Sequence, residues 1–226
     1  MTDIIGGTND SYVVIGFFTP DYRPLAARLA EDLSKFDIPH HLYATTAAEW
    51  HAATLLKPVY IKRARAEYPG KTIISMDVDC SIKEPIASGL AISADVGLAF
   101  NEIRERAARL YPTSRVTVWS PTAGATRLLD NWSEVCQRAE VNNDEILLMV
   151  AIARTVGTSL QALPGTHRGL EWSKAPANSA IVHDSARAKA KAKNVRRRLL
   201  RATREFVTMT LFGTTVTDRK LGKRLS

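Results

Sequence analysis

Apolar residues in the first eighty positions switch between two spacings, and the switch predicts the elements. Tyr12–Phe18 (YVVIGFF) is an unbroken apolar, β-branched and aromatic run, the pattern of a strand covered on both faces. After Thr19-Pro20-Asp21, Leu25, Leu29, Leu33 and Phe36 recur at helical spacing. Pro24 falls in the first turn of that helix, where a missing N–H costs nothing. Pro39 precedes a second short strand at His41–Ala44, and Pro58 opens a helix that Pro69-Gly70 stops near Tyr68. Thr72–Met76 (TIISM) is a third buried strand. Strand, helix, strand, helix, strand is the order of an α/β domain with a mostly parallel sheet.

The second half carries weaker periodicity. It predicts strands at Asp95–Phe100, Val116–Trp119, Leu160–Leu163 and Ala180–His183, and helices at Ala123–Arg138 and Asp144–Thr155. From Arg187 the text changes. Val195, Leu199, Phe206 and Met209 share roughly one helical face, while Arg197, Arg198, Arg201 and Arg204 lie mostly elsewhere. That is a basic amphipathic helix. The expected organisation is an α/β domain over residues 1–186 followed by a basic tail over 187–226.

Charge reinforces that boundary. The formal net charge of +8 belongs to the tail, where thirteen Lys and Arg face two acids, leaving eighteen bases against twenty-one acids in the body. A basic tail on a mildly acidic body suits attachment to a polyanion. Only Phe206 and Phe212 could stack on bases there, so an anionic membrane surface is the better expectation and nucleic acid the lesser. Hydrophobic residues at 45% and charged ones at 24% are ordinary globular usage and exclude wholesale disorder. Two cysteines, Cys80 and Cys136, are too few for a disulfide framework, and the first ten residues hold two acids and no base, unlike a signal peptide. The expected location is cytoplasmic, with the tail resting on the inner face of the membrane.

Chemistry concentrates where the third strand ends, at Asp77-Val78-Asp79. Ligands of parallel α/β sheets bind beyond the carboxyl ends of the strands. Alternation along an extended backbone would turn both carboxylates to one side. Two such neighbours repel unless a cation lies between them, and hard oxygens suit Mg²⁺ or Mn²⁺. By itself a D-x-D is a weak motif; its place after two βα units is the informative part.

Three stretches stand in order around it: Phe18-Thr19-Pro20-Asp21-Tyr22 after the first strand, Trp50 separated by six residues from Lys57-Pro58, and Ile73-Ile74-Ser75-Met76-Asp77-Val78-Asp79 with Pro85 beyond. From Tyr12 to Pro85 this resembles the donor half of glycosyltransferases of the GT-A fold. The resemblance implies an α/β, Rossmann-like fold and a D-x-D that holds a divalent metal on the diphosphate of a nucleotide-sugar, a UDP-sugar first among them. It implies donor contacts at Phe18, Thr19, Tyr22, Trp50, Lys57, Asp77, Val78 and Asp79. More faintly, Val118–Gly124 with Leu128 and Trp132 resembles the segment lining the sugar pocket, which adds Gly124. Asn143-Asp144-Glu145 is similar to the family's acidic pair at a helix start and suggests Asp144 and Glu145 as catalytic residues. Ile181-Val182-His183 resembles the late strand whose histidine joins the metal ligands. The implied acceptor is a hydroxyl on a glycan, a lipid or another molecule.

Other readings remain open from sequence. Asp144 could simply cap its helix, Trp50 could pack at a helix entry, and Lys57 could be a surface residue. A haloacid-dehalogenase-like phosphohydrolase also closes a buried strand with D-x-D, and a non-catalytic module could bind membrane or nucleic acid through the tail.

Overall fold

The structure, a computed structural model, describes residues 1–46, 53–103, 109–139, 143–171 and 175–183. Trp50 and the basic tail lie outside the described residues. The elements in chain order are β1 (Ile4–Gly6), β2 (Tyr12–Phe18), a 3₁₀ turn (Pro20–Tyr22), α1 (Arg23–Lys35), β3 (His40–Ala44), α2 (Lys57–Glu67), β4 (Thr72–Met76), β5 (Cys80–Ile82), β6 (Val96–Ile103) and β7 (Arg109–Trp119). They continue with α3 (Ala123–Gln137), α4 (Asp144–Arg154), β8 (Leu160–Ala162), a second 3₁₀ turn (Gly165–His167), β9 (Leu170–Glu171) and β10 (Ile181–His183). No described helix is long and apolar enough to cross a membrane.

A seven-stranded sheet in the order β1-β3-β2-β4-β7-β6-β8 forms the middle layer. Strands β3, β2, β4, β6 and β8 run one way, while β1 and β7 run against them. The period-two geometry of β2 explains how both faces are filled. Val14 and Phe18 enter one apolar cluster with Leu29 and Leu33 of α1. Val13 and Ile15 enter the other, with Ile61 of α2, Leu128 and Trp132 of α3 and Leu148 of α4. An unbroken apolar strand is therefore what a sheet sandwiched between helical layers requires.

Three elements escape the periodicity. β1 is three residues long and only partly buried, too short to show a pattern. β5 has three residues and β9 two, and both find their partners only in the folded chain: β5, β10 and β9 make a small second sheet. The strand expected at Val116–Trp119 is the end of a longer one, because β7 begins at Arg109.

A polar knot ties β1 down. The Asp3 carboxylate accepts the Ala44 N–H at 2.7 Å and meets His41 Nε2 at 3.0 Å. On the other side of the ring, His41 Nδ1 lies 2.8 Å from the Tyr68 hydroxyl. Tyr43 donates to Glu67 at 2.7 Å, as does Arg63. Burial works against the Asp3 charge, but the Ala44 N–H and His41 outweigh it and hold its carboxyl below the usual range. Glu67 is likewise lowered, burial being outweighed by Arg63 and Tyr43.

Two outcomes follow. Carboxyls with lowered folded pKa contribute stability that is complete above their unfolded values, near 4, and lost as pH falls through that range. Asp3→Asn should therefore unfold more easily than wild type at pH 7 and show a shallower loss of stability between about pH 5 and 2, read by urea titrations across pH. The second concerns Gly16, the break in the β2 run. A Cβ there would lie 2.8 Å from the Met76 carbonyl and 3.0 Å from Val78 Cγ1. Gly16→Ala should cost about 1–3 kcal/mol by overpacking, measured by urea unfolding. An unchanged midpoint would show that β4 yields freely.

Candidate active site

Strand β4 stops at Met76, and Asp77-Val78-Asp79 form a turn rather than an extended continuation, closed by the Cys80 N–H donating to the Asp77 carbonyl at 3.0 Å. The turn does what alternation was expected to do. Val78 packs into the apolar cluster beside Val14 and Met76, and the flanking carboxylates remain outside it. Arg28 of α1 fixes this turn from behind, its guanidinium donating to the Asp79 and Cys80 carbonyls at 3.4 Å each.

His183 reaches the turn through strand pairing. β5 starts immediately after Asp79, β10 runs antiparallel to it, and His183 stands opposite Cys80. His183 Nε2 consequently lies 3.0 Å from Asp79 Oδ1 and 4.0 Å from Asp77 Oδ2. One ligand atom from each of Asp77, Asp79 and His183 falls within 4.8 Å of the others. Two carboxylates and an imidazole are a donor set for a divalent ion of the Mn²⁺ kind, which accepts both oxygen and nitrogen. The electrostatics agree with a place for added positive charge. Burial, partly offset by Lys57 and reinforced by the Asp79 charge, raises the Asp77 carboxyl above the ordinary range. For Asp79 burial is outweighed by the hydrogen bond and attraction of His183, which lower it. The site's residues fit a metal.

Next to the triad lies a buried ion cluster. Lys57, the first residue of α2, puts its ammonium 2.8 Å from Asp77 Oδ1, 2.9 Å from Asp144 Oδ2 and 2.8 Å from Ser114 Oγ. Ser114 accepts from Lys57 and donates in a short hydrogen bond to Asp144. A cation at a helix N-terminus is opposed by the helix dipole, so the two carboxylates determine its place. Burial alone would lower the proton affinity of Lys57; Asp144 and Asp77 outweigh it and raise it well above the ordinary lysine value. Lys57 is therefore no surface residue.

The role of Asp144 is also decided by geometry. Asn143 caps α4, its side-chain oxygen accepting the Glu145 and Ile146 N–H groups at 3.1 Å each. Asp144 is thereby released from capping and faces Lys57 and Ser114. Glu145, next along the helix, is held above the ordinary carboxyl range by burial, against the attraction of Arg115.

Ser114 and Arg115 have no sequence signature, and their position comes from an irregularity. β6 and β7 pair regularly at Leu98–Thr117 and again at Ala99–Thr113, so residues 114–116 have no partner on β6. Such bulges re-aim side chains beside functional sites. On its other side β7 stays bound to the turn, Asp77 N–H donating to the Arg115 carbonyl at 2.9 Å.

Several expected contacts sit elsewhere. Phe18 is 1% exposed and belongs to the core, and the Val78 side chain is likewise buried in it. Thr19 and Tyr22 follow the end of β2 that lies on the Asp77 side of the sheet, since β2 and β4 are parallel, and Tyr22 packs against the core. Gly124 is at the opposite end, because β7 is antiparallel to β4 and Trp119 pairs with Ile73. A Cβ on Gly124 would lie 2.3 Å from Asp95 Oδ2, so packing against Asp95 explains this glycine. Asp95 itself accepts from Thr122 at 2.6 Å and from the Ser159 N–H at 2.7 Å.

No protein-family model matches this chain, and no curated protein matches it. Solved structures do. A glycosyltransferase involved in glycosylation of the major capsid of PBCV-1 superimposes with a TM-score of 0.61 over 81% of this chain and 99% of that one, at 13% identity. The galactosyltransferase LgtC, solved with donor and acceptor sugar analogues, superimposes with a TM-score of 0.50 over 77% of this chain and 87% of its own, at 9% identity. The fold is thus that of the GT-A glycosyltransferases, as the resemblance implied.

The ion cluster makes a direct prediction. Lys57→Met leaves two largely buried carboxylates without their counter-ion and should destabilise the protein by about 3–5 kcal/mol. Adding Asp144→Asn should restore part of that loss, because the contacting residues are coupled. Urea unfolding of the single and double variants measures it; strictly additive losses would refute the bridge.

Proposed function

We propose that this protein is a metal-dependent glycosyltransferase that moves a sugar from a nucleoside-diphosphate sugar, a UDP-sugar first among the candidates, to an acceptor hydroxyl. The observation that carries the proposal is the Asp77, Asp79 and His183 triad, standing at the carboxyl end of a central strand in a fold shared with glycosyltransferases.

Asp77, Asp79 and His183 would hold Mn²⁺ or Mg²⁺. Such an ion, when bound, acts as a Lewis acid for the charge that develops on a departing diphosphate. The remaining work falls to the chain's own groups. Lys57 keeps Asp77 and Asp144 at fixed separation, so the metal-facing carboxylate and the substrate-facing one are held by the same cation. Asp144, turned into the site and fixed by Ser114, orients a sugar hydroxyl or stabilises positive charge at the anomeric carbon. Glu145, with raised proton affinity, is placed to take the acceptor's proton. Thr19 and Tyr22 are carried into this reading as donor contacts. The basic tail supplies an anionic-membrane contact, which suits an acceptor on a lipid or a surface glycan.

Thermal unfolding with a panel of nucleotide-sugars, with and without Mn²⁺, tests this. A donor at a hundred times its Kd stabilises by about 2.7 kcal/mol, a few degrees at this chain length. Asp77→Asn, Asp79→Asn and His183→Ala should each abolish the metal-dependent part of that shift while retaining native circular dichroism. Asp144→Ala should lower sugar transfer or donor hydrolysis by about 10²–10⁴-fold. A folded wild-type protein that shows no metal-dependent shift with any donor would overturn the proposal.

A further inference from the structure

Four arginines among the described residues are half-buried: Arg28, Arg65, Arg115 and Arg168. Three of them spend their guanidinium groups on backbone carbonyls. Arg28 bonds Asp79 and Cys80, Arg65 bonds Lys71, Trp119 and Ser120, and Arg168 bonds Phe100. Arg115 makes no side-chain hydrogen bond and no ion pair among the described residues. Its backbone, by contrast, is held on both sides, the N–H donating to Thr113 Oγ1 at 3.2 Å and the carbonyl accepting from Asp77. None of its guanidinium nitrogens is a fully buried orphan, so the five donors of this rigid fork are reachable and uncommitted.

Its charged neighbour locates what it faces. Of the charges around Glu145, that of Arg115 acts most strongly on it, ahead of Asp144 and Lys57. Yet no ion pair within 4.0 Å joins them. The Arg115 guanidinium thus acts on the Glu145 carboxylate without bonding to it. Glu145 follows Asp144 at the start of α4, and the Arg115 carbonyl accepts from the Asp77 N–H, so both residues border the candidate site. An ion held by Asp77, Asp79 and His183 would balance those two carboxylates and contact the diphosphate, so UDP itself is the reference against which any other acidic group at Arg115 is measured.

We propose that Arg115 is a specificity residue whose guanidinium binds an acidic substituent, a carboxylate or a phosphate, carried by one of the sugar substrates. The assignment rests on the transferase reading. The planar fork of arginine matches both groups in a bidentate contact, which lysine cannot reproduce. Glu145 remains available to accept from a hydroxyl of the same sugar. The acidic group can belong to the donor sugar or to the acceptor, and the chemistry at Arg115 is the same for either.

Calorimetric titration of the full-length protein with Mn²⁺ separates these cases. UDP-glucuronate and UDP-glucose differ as donors in one carboxylate; glucose 6-phosphate and glucose, added over saturating UDP, differ as acceptors in one phosphate. The expected result is a preference of about tenfold or more for the acidic member of one pair, lost in Arg115→Gln and partly kept in Arg115→Lys. A preference within the first pair assigns the group to the donor, and within the second to the acceptor. UDP alone is the reference: if Arg115→Gln weakens UDP as much as it weakens the acidic ligand, Arg115 is a diphosphate contact and the proposal falls. It falls equally if wild type binds both members of each pair alike, or if the preference survives in Arg115→Gln. A wild-type protein that binds no UDP would defeat the transferase reading instead. The glucose 6-phosphate and glucose comparison without nucleotide would still decide the role of Arg115.

Discussion

One buried ammonium group organises this molecule. Lys57 Nζ touches Asp77, Asp144 and Ser114 within 2.9 Å, and those residues come from the end of β4, the start of α4 and the irregular part of β7. Two carboxylates this near in a half-dry setting would repel, and one would take up a proton. The ammonium between them removes that cost, and each carboxylate in turn removes the cost of burying the ammonium. Removing one of the three charged groups leaves the others buried with incomplete compensation. The cluster therefore fixes the distance between Asp77 and the helix that carries Asp144 and Glu145.

The backbone supplies each member by a different device. A tight turn after β4 throws Asp77 and Asp79 outward while Val78 anchors the turn in the core. An Asn cap at α4 satisfies the helix start, so the acid after it is free for other work. Residues 114–116 have no partner on β6, and in this irregular stretch Ser114 meets Lys57 while the Arg115 side chain has no hydrogen-bond partner among the described residues. The antiparallel pairing of β10 with β5 carries His183 to Asp79 from the far end of the described chain. Strands on either side hold the turn, so Asp77, Asp79 and His183 keep a fixed arrangement.

Legibility in the sequence follows from locality. The runs at Tyr12–Phe18 and Thr72–Met76 and the helical spacing of Leu25, Leu29 and Leu33 were readable because neighbours along the chain carry the whole pattern. Asp77 and Asp79 were readable for the same reason. Phe18 and Gly124 show the limit of motif matching. Phe18 lies beside a motif residue but alternates inward, and Gly124 is small because Asp95 packs on it. Ser114 and Arg115 left no mark, since a register shift between β6 and β7 depends on both strands at once. The short strands β1, β5 and β9 were invisible because two or three residues are too few for a period.

By itself, the sequence determined the layered α/β class, the strand-helix-strand-helix-strand order from β2 to β4, the segregation of positive charge into the last forty residues, and the acidic pair that closes the third strand of the pattern. Each depends on spacing within a short window or on composition. The tertiary structure decided that Lys57 is a buried bridge rather than a surface charge, that Asn143 and not Asp144 caps its helix, that His183 meets Asp79, and that the Arg115 side chain has no hydrogen-bond partner among the described residues. These are contacts between residues far apart in the chain. Their energies come from burial and from charges brought within a few ångströms, quantities that exist only once the sheet has closed around them.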